Sequence, residues 1–342
     1  MAGTADGASR PTIRSVAERA GVSKSLVSLV LQGSPRVGED SRRAVLAAVA
    51  ELGYRPDPAA RSLAERRTRT VGVVLDDLRN PWFVDLLDGL RPALRAAGLR
   101  PVLADTRAEP DAARDLARLR VDGLVVVGTR DDLAAVEEVA AAVPTVLAGT
   151  RDAVRTPVDL VADDGEAGVR LAVEHLAALG HRRIAHVAGT GAVGRLRRRA
   201  FEDAARAAGA TAEVAHADMT EDGGHRAALH LLRRPHRPTA VLAANDVSAL
   251  GVLAAADDLG LRVPHDVSVA GYDDTALAAL RRISLTSVDN RSAEVGRRAA
   301  DLLLERLADP ARPPRTLLLP PRLVPRSTTA APGRGGDRDA QP

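Results

Sequence analysis

An alternation of short apolar runs and alanine-rich amphipathic stretches constrains this chain more than any other feature. It starts at Thr70 and continues for about 250 residues. The apolar runs read as strands at Val71–Leu75, Pro101–Ala104, Gly123–Val127, Thr145–Ala148, Ile184–Ala188, Glu213–His216, Ala240–Ala244 and Val267–Gly271. Helical patterns lie between them, among them Phe83–Ala97, Ala167–Leu179, Leu196–Ala208 and Ser248–Leu259. Strand-helix alternation of this kind demands parallel sheets joined by right-handed crossovers. Eight strands over that length predict two such units, with a ligand crevice at the carboxyl ends of the strands.

Other classes fall away on composition. The 342 residues exceed what one core usually serves. Hydrophobic content of 45% and charged content of 27% suit a globular protein. No apolar run reaches the roughly 18 residues a bilayer span needs, and Met1–Arg10 lacks the apolar stretch of a signal peptide. A cytoplasmic protein with no membrane partner is expected. The absence of cysteine excludes disulfides, thiolate catalysis and cysteine-based zinc sites. His225, His230 and His236 have no metal-ligand spacing, and neither a nucleophile elbow nor a Walker loop occurs. No metal, no cofactor and no enzyme activity are therefore expected.

The front of the chain differs in texture and in charge. Residues 1–70 carry twelve Lys and Arg against seven Asp and Glu, a net of +5. The remainder carries 36 against 38, a net of −2. Positive charge confined to one end suits contact with phosphate. Residues 1–10 read as a disordered arm, and residues 11–56 as a helical headpiece. Helices are expected over Ile13–Ala20 (capped by Thr12), Lys24–Leu31 (opened by Ser23) and Glu39–Leu52 (stopped by Gly53). Two short helices meeting at a glycine, here Gly21, build a helix-turn-helix. Residues 57–69 read as a hinge helix and basic linker, and residues 330–342 as an unstructured Gly/Pro-rich tail.

Taken in order, a set of motifs resembles the LacI/GalR (lactose-repressor) family of bacterial transcriptional regulators from Thr12 to Pro325. They are Thr12-Ile13-Arg14 through Ala20-Gly21-Val22-Ser23, Leu52-Gly53-Tyr54-Arg55-Pro56, Ala60-Arg61-Ser62-Leu63 and Asn80-Pro81-Trp82-Phe83. Further on come Leu179-Gly180-His181-Arg182-Arg183-Ile184-Ala185, Ala244-Asn245-Asp246, Val263-Pro264-His265-Asp266-Val267-Ser268 and Gly271-Tyr272-Asp273-Asp274. The resemblance implies an all-α helix-turn-helix headpiece plus an α/β core of two parallel-sheet subdomains, like periplasmic sugar-binding proteins. The subdomains would cover about 70–161 plus 291–313 and about 162–290 plus 314–329. It also implies a homodimeric repressor on a pseudo-palindromic double-stranded DNA operator, answering to a small effector such as a sugar.

Carried over residue by residue, DNA contacts fall on Thr12, Ser23, Lys24, Ser25, Leu26, Ser28, Leu29, Gln32 and Tyr54, with Ala60 and Leu63 in the hinge. Where the family commonly shows Thr-Val-Ser-Arg, this chain has Leu26-Val27-Ser28-Leu29. Leucine can touch a thymine methyl but cannot grip guanine with two hydrogen bonds. Leu63 matches the family's minor-groove wedge. Effector contacts fall on Asn80, Trp82, Phe83, Arg151, Arg197, Asn245, Tyr272 and Asp273. Only five residues are aromatic, and all but Tyr54 fall near expected strand-to-helix loops, a placement that suits a sugar or base ligand.

Gly189-Thr190-Gly191-Ala192-Val193-Gly194 fits G-x-G-x-x-G, with Glu213 or Asp218 roughly 20 residues on. That spacing keeps an NAD(H)-sensing regulator as an alternative. The arginines at 195 and 197–199, at a helix start, leave room for a phosphorylated or acidic effector, and a nucleoside effector is a further alternative.

Overall fold

The computed structural model describes residues 11–31, 33–55, 67–128, 134–150 and 156–333. They fall into two compact units divided at Thr68. The first contains α1 (Ile13–Ala20), α2 (Lys24–Leu31) and α3 (Glu39–Leu52), the bounds the sequence predicts. Local chemistry sets those bounds. The Thr12 hydroxyl accepts from Ser15 N at 3.3 Å, and Ser15 Oγ accepts from Thr12 N at 3.3 Å, a reciprocal cap. Gly21 and Gly53 take the left-handed conformation that ends α1 and α3, at φ 66° and 60°. Ser23 Oγ accepts from Leu26 N at 3.2 Å and opens α2. Val16, Val27, Val30 and Val45 fill the small core between the three helices.

The second unit has two lobes. The first strand-helix run comprises β1 (Thr70–Leu75), α4 (Pro81–Ala96), β2 (Arg100–Asp105), α5 (Ala112–Arg118), β3 (Gly123–Val127), α6 (Ala134–Ala140), β4 (Thr145–Ala148) and β5 (Asp159–Asp163). The second comprises α7 (Gly165–Ala178), β6 (Arg183–Ala188), α8 (Gly191–Ala207), β7 (Thr211–His216), α9 (Glu221–Leu232), β8 (Ala240–Ala243), α10 (Asp246–Asp258), β9 (Ser268–Tyr272) and β10 (Thr286–Asp289). The chain then returns through α11 (Ser292–Ala308), β11 (Thr316–Leu319) and β12 (Arg322–Val324). The sheet orders are β11-β5-β4-β3-β1-β2 and β12-β10-β9-β8-β6-β7, and only β12 runs antiparallel to its neighbour. Each order reverses direction once, between β1 and β3 and between β6 and β8. At such a switch point the strand ends splay and leave room for a ligand.

Helices α4 and α11 cross where both carry glycine. A Cβ on Gly89 would lie 1.8 Å from the Ala293 carbonyl oxygen, and one on Gly296 would lie 1.9 Å from that of Leu86. The missing side chains let the two backbones touch.

Four expectations are corrected. The lobe boundary placed at residue 313 moves, because β11 pairs parallel with β5 in the first lobe and packs Leu317 and Leu319 on that lobe's core. Likewise β5 runs on to Asp163 in the first sheet, past residue 161. The tail expected to be unstructured from residue 330 is anchored at its start. The Ala330 carbonyl accepts from Ser268 Oγ at 3.1 Å and lies 2.9 Å from His181 Nε2. The helix expected from Leu196 begins at Gly191, so most of the glycine-rich segment is its first turn.

One buried group gives the second lobe an acid-sensitive point. His186 on β6 donates from Nδ1 to the Leu242 carbonyl at 2.9 Å. Its Nε2 finds no partner among the described residues, and the ring lies 5.1 Å from that of Phe201. Burial pushes its pKa down to about 4, against the opposing effect of the Leu242 bond. A folded value below the unfolded one means stability is complete above the unfolded value and falls as pH drops through 6.5 toward 4. The loss expected is roughly 3 kcal/mol. Urea unfolding between pH 7 and pH 4 checks this: His186→Leu should flatten that part of the profile, and an unchanged slope would remove His186 as its source.

Candidate functional site

The carboxyl ends of both sheets face one cleft of about 490 Å³. The first lobe brings Asp76 and Asp77 after β1, Asn80, Trp82 and Phe83 at the start of α4, Thr106 and Arg107 after β2, and Asp163 at the end of β5. From the second lobe come Thr190, Arg197, Asp218, Asn245, Asp273 and Asn290. Gly128 and Gly149, both in the left-handed region at φ 91° and 73°, seat the two aromatic rings. A Cβ on Gly149 would stand 2.3 Å from the Trp82 ring, and one on Gly128 would stand 3.1 Å from Phe83. The two rings meet edge to face, 5.1 Å apart.

Two hydrogen-bonded chains cross between the lobes at the base of the cleft. Trp82 Nε1 donates to Asn290 Oδ1 at 3.1 Å, and Asn290 Nδ2 donates to Asp273 Oδ1 at 2.8 Å. Tyr272 donates its hydroxyl to Asp163 Oδ2 at 2.6 Å. The Arg197 guanidinium lies 3.6 Å over the Tyr272 ring, with Nη1 donating to the Ala244 carbonyl at 2.8 Å and Nη2 3.8 Å from Asp273. Asp273 is 6% exposed. Burial raises its pKa well above the usual carboxylate range, opposed by the nearby Arg197 charge.

Asp273 and Asp274 both have positive φ, at 106° and 51°. Beneath this turn the buried Asp246 carboxylate accepts from Thr275 N at 2.7 Å and from Thr275 Oγ1 at 2.9 Å, and it also takes the Ser287 hydroxyl at 2.5 Å. These bonds pin the turn that presents Asp273. Desolvation nevertheless pushes the Asp246 pKa up to about 6.

Six residues expected at an effector site, Asn80, Trp82, Phe83, Arg197, Asn245 and Asp273, all line this cleft. Tyr272 does not. It is 1% exposed and supports Arg197 from below. Arg151 lies outside the described residues. Sequence reasoning overlooked Asp163 and Asn290. Asp163 closes a strand whose flanking carboxylates masked its apolar pattern, and Asn290 lies in a lobe crossing that no motif marks. In the glycine segment, the Cβ side of Gly189 is filled by the Met219 thioether, 2.2 Å from a Cβ placed there.

In the headpiece, Lys24 and Ser25 are exposed at the start of α2, with Ser28 half-buried and Leu29 38% exposed on the same helix. The two leucines differ: Leu26 packs on the headpiece core, whereas Leu29 stays open. Thr12 and Ser23 spend their hydroxyls on helix caps, and Tyr54 rests partly on the core. Gln32, Ala60 and Leu63 lie outside the described residues.

A helix-turn-helix unit followed by a two-lobed α/β core with a polar cleft defines a ligand-responsive DNA-binding regulator. Residues 12–57 match the family model for bacterial regulatory proteins of the lacI family, and residues 173–329 match the periplasmic binding protein-like domain. The HTH-type transcriptional repressor PurR of Escherichia coli O139:H28 (strain E24377A / ETEC) is 33% identical over 332 residues, covering 93% of this chain and 97% of the relative. The structure of the lac repressor dimer bound to operator and the anti-inducer ONPF matches with a TM-score of 0.85 at 33% identity. That match covers 94% of this chain and 100% of the other. A transcriptional regulator CelR–cellobiose complex matches at 0.70 and 33% identity, covering 93% and 100%.

The chain belongs to the LacI family of bacterial regulatory proteins. It is a DNA-binding transcriptional repressor with an effector-binding core, and not an enzyme. Among the described residues no helix is long and apolar enough to cross a membrane.

Proposed function

We propose that this repressor binds a pseudo-palindromic operator as a cytoplasmic homodimer, and that a sugar-like effector held between the lobes sets its affinity for DNA. One observation carries the effector assignment: a flat indole, a buried guanidinium and hydrogen-bonding carboxylates and amides from both lobes converge on one cleft. Aromatic faces beside paired acceptors and donors are the chemistry that holds a polyhydroxyl ring. The similarity to a regulator in complex with cellobiose supports the same reading. Asn80, Trp82, Phe83, Arg197, Asn245 and Asp273 are the proposed contacts.

Trp82 is the only tryptophan in the chain, so its emission reports the cleft directly. A screen of sugars by Trp82 fluorescence and thermal shift, with cellobiose first, should find a ligand that also changes operator affinity. Saturable binding of NADH or a nucleoside, with no response to any sugar, would replace this effector assignment.

On the DNA side, Lys24, Ser25, Ser28 and Leu29 are the proposed readers on α2. Operator affinity should fall steeply with salt, with a logarithmic slope of about −0.9 per neutralised phosphate. Leu29→Arg should shift selection from a randomised operator library toward guanine at one position in each half-site. The expected discrimination is about 1–3 kcal/mol. Unchanged selection would place position 29 away from the base edges.

A further inference from the structure

We infer that Asp246 is a positioning residue for the effector: it touches no ligand, yet it holds the turn from which Asp273 reaches the cleft. Through Asn290 the same turn also holds the indole of Trp82. This rests on the reading of the cleft as the effector site and adds to it a residue from outside the lining.

Asp246 is fully buried at the start of α10 and does not line the cleft. Its seat exists because residue 271 is glycine: a Cβ there would lie 2.4 Å from Asp246 Oδ1. No cation among the described residues offsets its burial. A carboxylate enclosed in this way depends on neutral donors. All the donors it takes belong to the turn and to the strand beside it.

Three successive amides of the turn are tied down, and two of them by way of Asp246. Asp273 N donates to the Val288 carbonyl at 2.8 Å. Asp274 N donates to Ser287 Oγ at 3.1 Å, and that hydroxyl donates in turn to Asp246 Oδ1. Thr275 N donates to Asp246 Oδ2 at 2.7 Å. The positive φ of Asp273 and Asp274 is strained backbone, which persists only where the surroundings over-determine it. Without the carboxylate the turn is free to relax, and Asp273 moves with it. Asn290 then loses the acceptor of its Nδ2, and its Oδ1 is no longer fixed against Trp82 Nε1. The same helix start carries Asn245 in the cleft lining, capping Ser248 N at 2.9 Å. One helix start thus places Asn245 directly and Asp273 at one remove.

The test uses the full chain, reading Trp82 emission without ligand and then cellobiose affinity by calorimetric titration. Asp246→Ala should shift the emission, because the chain of bonds to Nε1 comes apart, and should weaken cellobiose binding about tenfold. Asp246→Asn keeps an acceptor for Thr275 and can donate to Ser287 Oγ, so it should restore both. Ser287→Ala leaves Asp246 and both Thr275 bonds in place and removes only the link to Asp274 N. It should give the same shift in smaller measure, and it serves if the alanine at 246 costs the fold. In an Asn290→Ala background, Asp246→Ala should add nothing to the emission change, since the link to Trp82 is already cut.

Wild-type emission in folded Asp246→Ala or Ser287→Ala protein would overturn the inference. So would equal changes in the alanine and asparagine variants at 246, or a full additional shift in the Asn290→Ala background. A wild type that binds neither cellobiose nor any other sugar would count against the sugar reading alone. The emission comparison contains no ligand and still decides the role of Asp246.

Discussion

Replacing Asp159 with alanine is expected to destabilise the core by about 3–5 kcal/mol, because it strips a buried charge from its partners. Asp159 is fully buried at the start of β5. Its Oδ2 lies 3.0 Å from Arg306 Nη2, and its Oδ1 accepts from Arg312 Nη2 at 2.9 Å and from Arg315 N at 2.9 Å. Both guanidiniums are largely enclosed, so neither can recover full hydration when the carboxylate goes. The network joins β5, α11 and the segment leading into β11, the returning part of the first lobe. Asp159→Asn keeps an acceptor and the side chain's shape and should lose less. Urea unfolding at pH 7 measures both, and a loss below about 1 kcal/mol for alanine would mean that the arginines rehydrate freely.

Gly149→Ala is expected to act on the cleft itself. The residue sits at φ 73°, and the added methyl would lie 2.3 Å from the Trp82 ring. Left-handed strain and overpacking together should cost roughly 2–5 kcal/mol. The indole must leave its seat, which also breaks the Trp82–Asn290–Asp273 chain. A red-shifted Trp82 emission and a weakened effector response should therefore appear together. Unchanged emission and an unchanged thermal midpoint would show that the ring has room to yield.

How much of this was legible beforehand depended on where the determining forces lie. The headpiece helices could be read to the residue because caps and left-handed glycines are local signals. The central strands were equally clear, since β3 and β4 are buried throughout and show as continuous apolar runs. The strands missed were β5, β10, β11 and β12. Aspartates bracket the first, Thr286-Ser287-Val288-Asp289 is mostly polar, Pro320 and Pro321 follow the third, and the last spans three residues. Their pairing is decided by neighbours far away in sequence. The same holds in the cleft. Six residues carried over from motifs do line it, whereas Asn290 and Asp163 come to it only where the lobes face each other. Tyr272 was placed among the effector contacts by its motif, whereas the packing turns it beneath Arg197.

The return of α11 and β11 to the first lobe has a consequence in time. That lobe is begun first and stays open long: after β5 ends at Asp163, 156 more residues must be made before β11 is complete at Leu319. At ordinary translation speeds this takes roughly 8–30 s. Throughout that interval the open edge of β5, and the face of α4 that α11 will cover, lie bare. The second lobe meanwhile lacks β12 and the segment through Ala330 that bonds Thr286, Val269 and Ser268. The half that begins at Thr70 therefore carries an open strand edge and an uncovered helix face until α11 and β11 arrive.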